Sequence, residues 1–405
     1  MADKTVAVLF GGRSVEHEVS VITGHQIMDA LKAVGYPVLP IFLTKEGEWF
    51  AGQGLHNLRL YTDPAGEPTS AAGVSRVSLS PDRSARQLVV HPQARQGLFR
   101  KPTPFRADVF FPCLHGSFGE DGSVQGLFEL ADVPYVGAGV AASAIAMDKI
   151  LTKLICRSVD IPVLDCTVVS RSEWGNASAG VLERVEPFGA YPLIVKPVCL
   201  GSSIGVKRCD DRTALGEAIA AGLVLDARVL IEPALTDFIE INCAVMGPPA
   251  QVSVCEQPVT NEAILSFDAK YKRGGKGAKQ PPTSAGMASL DRIIPAPIPA
   301  ELAQRVQGLA VRAFDAIGAA GTCRIDFLFQ PQSGALYLNE INSIPGSLAF
   351  YLWEATGTPF DALVDKLVTI ALQRHAERSR TQFSFEVNLL RRKDEPASET
   401  ARSRP

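Results

Sequence analysis

Cys323-Arg324-Ile325-Asp326-Phe327-Leu328-Phe329 and Leu336-Tyr337-Leu338-Asn339-Glu340-Ile341-Asn342 decide how this chain is read. Between them Pro331-Gln332-Ser333-Gly334 is a turn signal, so the two runs form a hairpin. Side chains alternate faces along a strand. Arg324, Asp326 and Leu328 therefore share one face, and Leu338, Glu340 and Asn342 share one face. Pairing Gln330 with Leu336 sets Asp326 opposite Glu340 and Arg324 opposite Asn342. Facing carboxylates repel, so a positive group belongs between them. Asp, Glu and Asn supply oxygen ligands suited to Mg²⁺, and a guanidinium suits phosphate or an oxyanion. The segment points to a site for Mg²⁺ and a phosphorylated species. The alternative is an exposed polar face of antiparallel sheet carrying an ordinary Arg–Asp pair.

Upstream, residues 5–10 (TVAVLF) read as a buried strand of the parallel kind, followed by a glycine turn and a helix over 19–34. Residues 37–43 form a second strand, and Glu46-Gly47-Glu48-Trp49 a hairpin turn. Residues 52–104 read as irregular, with edge strands at 76–80 and 86–91, and 108–114 as another buried strand ending at His115-Gly116. A βαβ opening argues for a doubly wound sheet, whose active groups gather at the C-terminal ends of strands. A helix is expected from 146 to 158, strands at 192–197, 228–232, 240–246 and 251–256, and helices at 212–223, 301–317 and 358–376. Residues 394–405 read as a disordered tail. The fold class is α/β, turning α+β in its second part. The divisions are 1–145, an N-terminal α/β substrate-binding domain; 146–236 and 237–380, two lobes of a nucleotide-binding module; and 381–405, a tail.

The 405 residues carry 40 basic and 43 acidic side chains, a net charge of -3. That balance gives no electrostatic case for nucleic acid or an anionic membrane. No apolar run approaches the ~20 residues of a membrane span. Eight scattered cysteines without a Cys-x-x-Cys pair read as reduced core residues, which fits the cytoplasm.

Gly201-Ser202-Ser203-Ile204-Gly205 follows the strand that carries Lys196. Small residues let backbone N–H groups approach phosphate oxygens, and serines add donors. It is not a Walker loop, and a plain turn is the competing reading. Lys196 lies deep in an apolar run and wants an anionic partner, unless it snorkels to solvent. Lys149, Lys196 and Lys270 are individually surface lysines; beside an acidic Mg²⁺ pair they make sense as clamps on a triphosphate. Glu232 ends an apolar strand, from which it can reach a ribose or an amino group. Glu16 and His115 sit in turns after buried strands, where a helix dipole or a satisfied hydrogen bond accounts for each equally well.

Together these pieces resemble the D-alanine–D-alanine ligase family of the ATP-grasp superfamily, over roughly residues 4–376. The motifs are Gly11-Gly12-Arg13-Ser14-Val15-Glu16-His17-Glu18-Val19-Ser20, His115-Gly116-Ser117-Phe118-Gly119-Glu120-Asp121-Gly122, Pro134-Tyr135-Val136-Gly137 and Met147-Asp148-Lys149. Lys196-Pro197 with the Gly201–Gly205 loop, Asp268-Ala269-Lys270-Tyr271, Arg324-Ile325-Asp326 and Glu340-Ile341-Asn342 with Pro345-Gly346 complete the set. Each is weak alone, and their joint order is specific. The resemblance implies ATP-dependent joining of two D-alanines through an acyl phosphate. It implies that Glu16 holds the first substrate's ammonium in a set with Ser202 and Tyr271, and that His115 lies near that substrate. Lys149, Lys196, Lys270, Ser202 and Ser203 would meet ATP phosphates, and Glu232 and Glu240 the adenosine. Asp326, Glu340 and Asn342 would bind two Mg²⁺ or Mn²⁺ ions. Arg324 and the Gly346 N–H would stabilise an oxyanion, and the relatives' homodimer is expected here.

Two stretches depart from the pattern. Tyr351 stands near a position where relatives place a serine that touches the second substrate, and the run after Tyr271 (Lys272-Arg273-Gly274-Gly275-Lys276-Gly277) is unusual. The expectation for residues 272–287 is a lid. Tyr271 itself matches the dipeptide-forming members, which favours an amine acceptor over D-lactate. The rival enzyme is a related ligase using D-lactate or another amino acid. A non-catalytic nucleotide binder would have broken acidic residues, and a Mg²⁺-dependent hydrolase lacks a base and nucleophile pair.

Overall fold

The computed structural model describes residues 3–63, 66–85, 88–91, 105–259 and 292–384. The apolar runs become three sheets. In the first, β1 (Val6–Gly11) lies between β2 (Val38–Leu43) and β6 (Val109–Pro112), parallel to both. Strands β3 (Trp49–Ala51), β4 (Ser75–Leu79) and β5 (Leu88–Val90) extend the β2 side antiparallel, in the order β5-β4-β3-β2-β1-β6. β1, β2 and β6 are buried at every position, as parallel strands covered on both faces must be. The helix His17–Ala33 and the C-terminal helix Phe360–Arg378 cover one face through Ile27, Leu31, Leu363 and Leu367. Val124 and Phe128 of the helix Ser123–Ala131 cover the other. The sheet is doubly wound as expected, with its parallel part confined to β2-β1-β6.

The second sheet is antiparallel, ordered β7-β10-β8-β9: β7 (Thr167–Ser170), β8 (Leu193–Pro197), β9 (Lys207–Cys209) and β10 (Arg228–Pro233). Its core includes Val181, Val185, Leu215 and Ile219 from the helices Arg171–Val185 and Arg212–Leu225. The third runs β13-β12-β11-β14-β15: β11 (Ile239–Gly247), β12 (Gln251–Pro258), β13 (Arg292–Ile293), β14 (Gly321–Gln330) and β15 (Ala335–Asn342). The helix Ala300–Ala316 packs Val306, Ala310 and Phe314 onto its apolar face, which holds Ile241, Cys243, Ile325 and Phe327. These mixed and antiparallel sheets are the α/β and α+β architecture read from the sequence.

Three expectations change. The helix read from 146 to 158 is two: Val140–Met147 and Lys149–Ser158. Asp148 is extended and accepts hydrogen bonds from Ile150 N and Leu151 N, so it caps the second helix. β7 and the helix Arg171–Val185 occupy a stretch where no element was read. The third change is in register and decides the site's geometry. All eight cysteines are unpaired thiols, and among the described residues no helix is long and apolar enough to cross a membrane.

Phe327 is 0% exposed in the middle of the third sheet, whereas Val224 is 80% exposed. Phe327→Ala should lower the urea unfolding free energy by about 3–5 kcal/mol, and Val224→Ala should stay within about 0.5 kcal/mol.

Candidate active site

The hairpin β14–β15 pairs Gln330 with Ala335, one residue off the expected register. A β-bulge restores the alignment: Phe327 pairs with Leu338 and Asp326 with Glu340, leaving Asn339 as the extra residue. Asp326 thus faces Glu340 and Arg324 faces Asn342, as expected, by a route the alternation rule does not contain. The bulge also corrects one placement. Leu338 is buried in the apolar core with Phe327, on the face opposite to Glu340 and Asn342.

The polar face of the sheet carries a row of four residues. Glu256 on β12 pairs with Asn242 on β11, Asn242 with Asp326 on β14, and Asp326 with Glu340 on β15. Arg324 grips Asp326 with two hydrogen bonds, Nε to Oδ1 at 2.7 Å and Nη2 to Oδ2 at 2.6 Å. Burial opposes the guanidinium's charge, but Asp326 holds its pKa well above the ordinary value. Asn342 Nδ2 donates to Asp326 Oδ2 at 3.0 Å. Glu240, two residues before Asn242 on β11, accepts from Asn242 Nδ2 at 2.9 Å.

The second sheet supplies cations. Lys196 on β8 forms an ion pair with Glu232 on β10 and donates to Asn339 Oδ1 at 3.1 Å. The bulge thereby aims its extra residue at the facing sheet. Lys153, which sequence reasoning passed over, approaches Glu232 at 2.9 Å. Burial works to raise the Glu232 pKa, and these two ammoniums bring it below the ordinary value. Lys149, first residue of its helix, donates to Leu200 O at 2.6 Å. Burial lowers its pKa, against an attraction to Glu340. Lys149, Gly201, Glu340 and Asn342 line one small pocket of ≈ 30 Å³.

The first sheet closes the cluster from its strand ends. The Ser202 hydroxyl donates to Glu16, and Ser202 and Ser203 both sit at positive φ, 54° and 57°. Gly116 has φ 76°, and a Cβ there would stand 2.6 Å from Glu16 Oε2, so only glycine lets the turn pass. His115 is 4% exposed, with Nε2 2.9 Å from Thr23 Oγ1. Burial pushes its pKa down to about 4, a hydrogen bond to Ile344 opposing, so the ring is neutral at pH 7. Thr23 Oγ1 also accepts from Ser347 N at 3.2 Å. Glu120 accepts from Gly116 N at 2.9 Å and Ile344 N at 2.7 Å. The loop carrying Gly346 is therefore held from the first sheet, and Ser347, Leu348 and Ala349 all take positive φ.

Tyr351, 9% exposed, lies beneath Arg292, whose guanidinium carbon is 3.7 Å from the ring centre. Its hydroxyl donates to Glu256 Oε1 at 3.3 Å, and Arg292 Nη1 meets Glu256 Oε2 at 3.0 Å. Burial pushes the Tyr351 pKa up to about 12. Lys270, Tyr271 and the candidate lid at 272–287 lie outside the described residues, as does the 394–405 tail. The structure thus gathers Glu16, His115, Lys149, Lys196, Ser202, Ser203, Glu232, Glu240, Arg324, Asp326, Glu340, Asn342, Gly346 and Tyr351 around the meeting of three sheets. Lys153, Glu120, Asn339, Glu256 and Arg292 join them, and only Glu120 and Asn339 lie inside motifs quoted from the sequence.

Among the described residues no three His, Cys, Asp or Glu side chains form a metal cluster. The acidic set is two carboxylates and an amide. Asn342 turns its Nδ2 toward Asp326, which leaves its Oδ1 on the other side of the amide. These are hard oxygen donors, and a cation that keeps several waters, as Mg²⁺ does, fits them.

Lys196 on one antiparallel sheet and Lys149 on a helix beside it meet the carboxylates of another sheet, next to a doubly wound sheet, and this is the arrangement of an ATP-grasp enzyme. Family models named D-ala D-ala ligase N-terminus and D-ala D-ala ligase C-terminus match residues 5–138 and 155–369. A D-alanine–D-alanine ligase from Heliobacterium modesticaldum is 39% identical over 386 residues, 94% of this chain and 98% of that one. Another, from Thermosipho africanus, is 34% identical over 385 residues, 95% and 97% of the two chains. The solved D-alanine-D-alanine ligase from Coxiella burnetii superposes with TM-score 0.76 at 27% identity, covering 94% of this chain and 97% of its own. The VanG D-Ala:D-Ser ligase from Enterococcus faecalis gives 0.74 at 27%, with 91% and 99% covered. The chain belongs to the D-alanine–D-alanine ligase family.

The buried neutral His115 makes a pH prediction. The unfolded ring takes a proton near its ordinary 6.5 and the folded ring near about 4. Stability from the neutral ring is complete above 6.5 and is lost as pH falls toward 4. Over that range the wild-type unfolding free energy should fall by about 3 kcal/mol more than that of His115→Gln, measured by urea titration at each pH.

Proposed function

We propose that the chain joins two D-alanines into D-alanyl-D-alanine at the expense of ATP, for peptidoglycan synthesis. The observation that carries this reading is the meeting of Lys149 and Lys196 with Glu340, Asn339 and Asn342, next to the Arg324–Asp326 pair. A carboxylate is a poor electrophile and must be activated. The first D-alanine's ammonium binds Glu16, which the Ser202 hydroxyl orients. Its carboxylate oxygen attacks the γ-phosphorus, the bond to the bridging oxygen breaks, and ADP leaves. Lys149 and Lys196 offset the charge on the phosphoryl oxygens, with Lys270 as a third cation, and Ser202 and Ser203 lie on the loop facing them. Glu232 and Glu240 face the adenosine, Glu232 being already committed to Lys153 and Lys196. Asp326, Glu340 and Asn342 would hold Mg²⁺ or Mn²⁺, as two ions, which supply charge neutralisation at the phosphates when bound.

The second substrate's amine, as –NH2, then attacks the acyl carbon, the bond from that carbon to the phosphate oxygen breaks, and the nitrogen passes one proton to the departing inorganic phosphate. Arg324 and the Gly346 N–H face the oxygen that gains charge. Neutral His115 supports the Gly346 loop through Thr23, and Tyr271 completes the set around Glu16. The three-part division at 1–145, 146–236 and 237–380 belongs to the same proposal, since each part holds one sheet. So do a homodimer, which the family resemblance supports, and the cytoplasm, which unpaired thiols support.

ADP release should require both D-alanine and Mg²⁺. Glu340→Gln should lower turnover ~10²–10³-fold, and Arg324→Ala by a similar factor. A screen in which D-alanine is inert while D-lactate, D-serine or another amino acid drives ADP release would replace this substrate assignment. Unchanged turnover in Glu340→Gln would remove its role.

A further inference from the structure

We infer that Lys153 is a positioning residue for nucleotide binding: it balances the charge of Glu232, so that the neighbouring Lys196 ammonium keeps a net positive charge to offer to phosphate. The assignment rests on the ligase reading above and adds the group on which its phosphate clamp depends.

A lysine spent on a buried carboxylate is a poor phosphate ligand. Lys196 forms an ion pair with Glu232, and that pair alone is neutral. A phosphate nearby would meet the attraction of the ammonium and the repulsion of the carboxylate together. Lys153 changes the sum. Its Nζ stands 2.9 Å from Glu232 Oε2, while Lys196 takes Oε1. Two ammoniums and one carboxylate leave one positive charge.

Burial divides the work between the two lysines. The side chain of Lys153 is 5% exposed and that of Lys196 13%. Lys153 also donates to Leu164 O at 3.0 Å, which pins it at the Oε2 side of the carboxylate. Lys196 donates instead to Asn339 Oδ1 at 3.1 Å, on the strand that carries Glu340. The enclosed lysine serves the carboxylate, and the more open one faces the cleft. Lys153 stands one turn after Lys149, on the same face of the helix Lys149–Ser158. One helix thus sends Lys149 toward Glu340 and Lys153 toward Glu232. Burial is the first cause of the lowered Lys149 pKa, and repulsion from Lys196 is a further one. The Lys196 charge is therefore felt across the cleft in spite of Glu232.

Nucleotide binding in the absence of any amino acid provides the test. Dissociation constants for ATP and for adenosine are measured by displacement of a fluorescent adenine nucleotide. Their ratio separates the phosphate contribution from contacts with base and ribose. Lys153→Met should weaken ATP ~10–100-fold and adenosine by less than ~3-fold. Lys153→Arg should keep most of the ATP affinity. The double variant Lys153→Met/Glu232→Gln again carries one positive charge, so its preference for ATP over adenosine should return to within ~5-fold of wild type. Glu232→Gln alone should raise that preference above wild type. An unchanged preference in Lys153→Met overturns the assignment. So does an equal loss of ATP and adenosine, which would mark Lys153 as structural. If Lys153→Met does not fold, Glu232→Gln against the double variant decides. A preference ~10–100-fold lower in the double variant supports the assignment, and an equal one overturns it. A wild-type protein that binds ATP no more tightly than adenosine overturns the nucleotide part of the ligase reading itself, and this assignment with it.

Discussion

Two carboxylates side by side on a sheet face govern this molecule. Asp326 and Glu340 are direct cross-strand partners. At ~5 Å and an effective dielectric of ~20, two such charges repel by about 3 kcal/mol. No single strand can relieve that. Arg324 answers from β14 itself, Asn342 from β15, and Lys149 from a helix start beside the second sheet. The first two come from within the third sheet, and the last brings another element to it. The same pattern repeats one layer away, where buried Glu232 is tolerated because Lys153 and Lys196 reach it from a helix and a neighbouring strand. The cleft is thus a place where charge is concentrated and then balanced from several directions, which is what a phosphorylated substrate needs.

The bulge at Asn339 makes the concentration possible. With unbroken alternation, Leu336 and Leu338 would share a face with Glu340 and Asn342, and the sheet could not be apolar on one side and polar on the other. One extra residue flips the parity. Leu336 and Leu338 then point into the core together with Ile341, and the acidic pair is freed to the cleft. The extra residue is itself used, since its amide oxygen meets Lys196 from the facing sheet. A single backbone irregularity therefore sorts the two faces and ties two sheets.

What the sequence reveals follows from range. β1, β2 and β6 were legible because a fully apolar run reports its own burial, and the helix Ala300–Ala316 because its apolar period lies within one turn of chain. The acidic hairpin was legible for the same reason. The bulge was not, because one added residue leaves no mark in composition; the right pairs emerged from a register that was wrong at the turn. The helix Arg171–Val185 was missed because only Val181 and Val185 are buried along it. Lys153 was missed because its partner Glu232 is far away in the chain, and a helical lysine carries no sign of burial. Arg292 lies in a strand of two residues, too short for any periodicity.

The first sheet contributes little to the cation side of the cleft, and its role is positional. The segment after Asn342 turns through three successive residues at positive φ, none of them glycine. Each such residue costs of order 1 kcal/mol in isolation, so the loop needs external support. Thr23 holds Ser347 N and Glu120 holds Ile344 N, both from the first sheet's strand ends and helix. Glu16 reaches the second sheet's loop at Ser202 in the same way. Gly346 lies between Ile344 and Ser347, and both of those neighbours are gripped from across the interface. The geometry of the loop after the third sheet is then a property of the docked chain, and damage to the turn at 115–122 should reach that loop through Glu120 and His115.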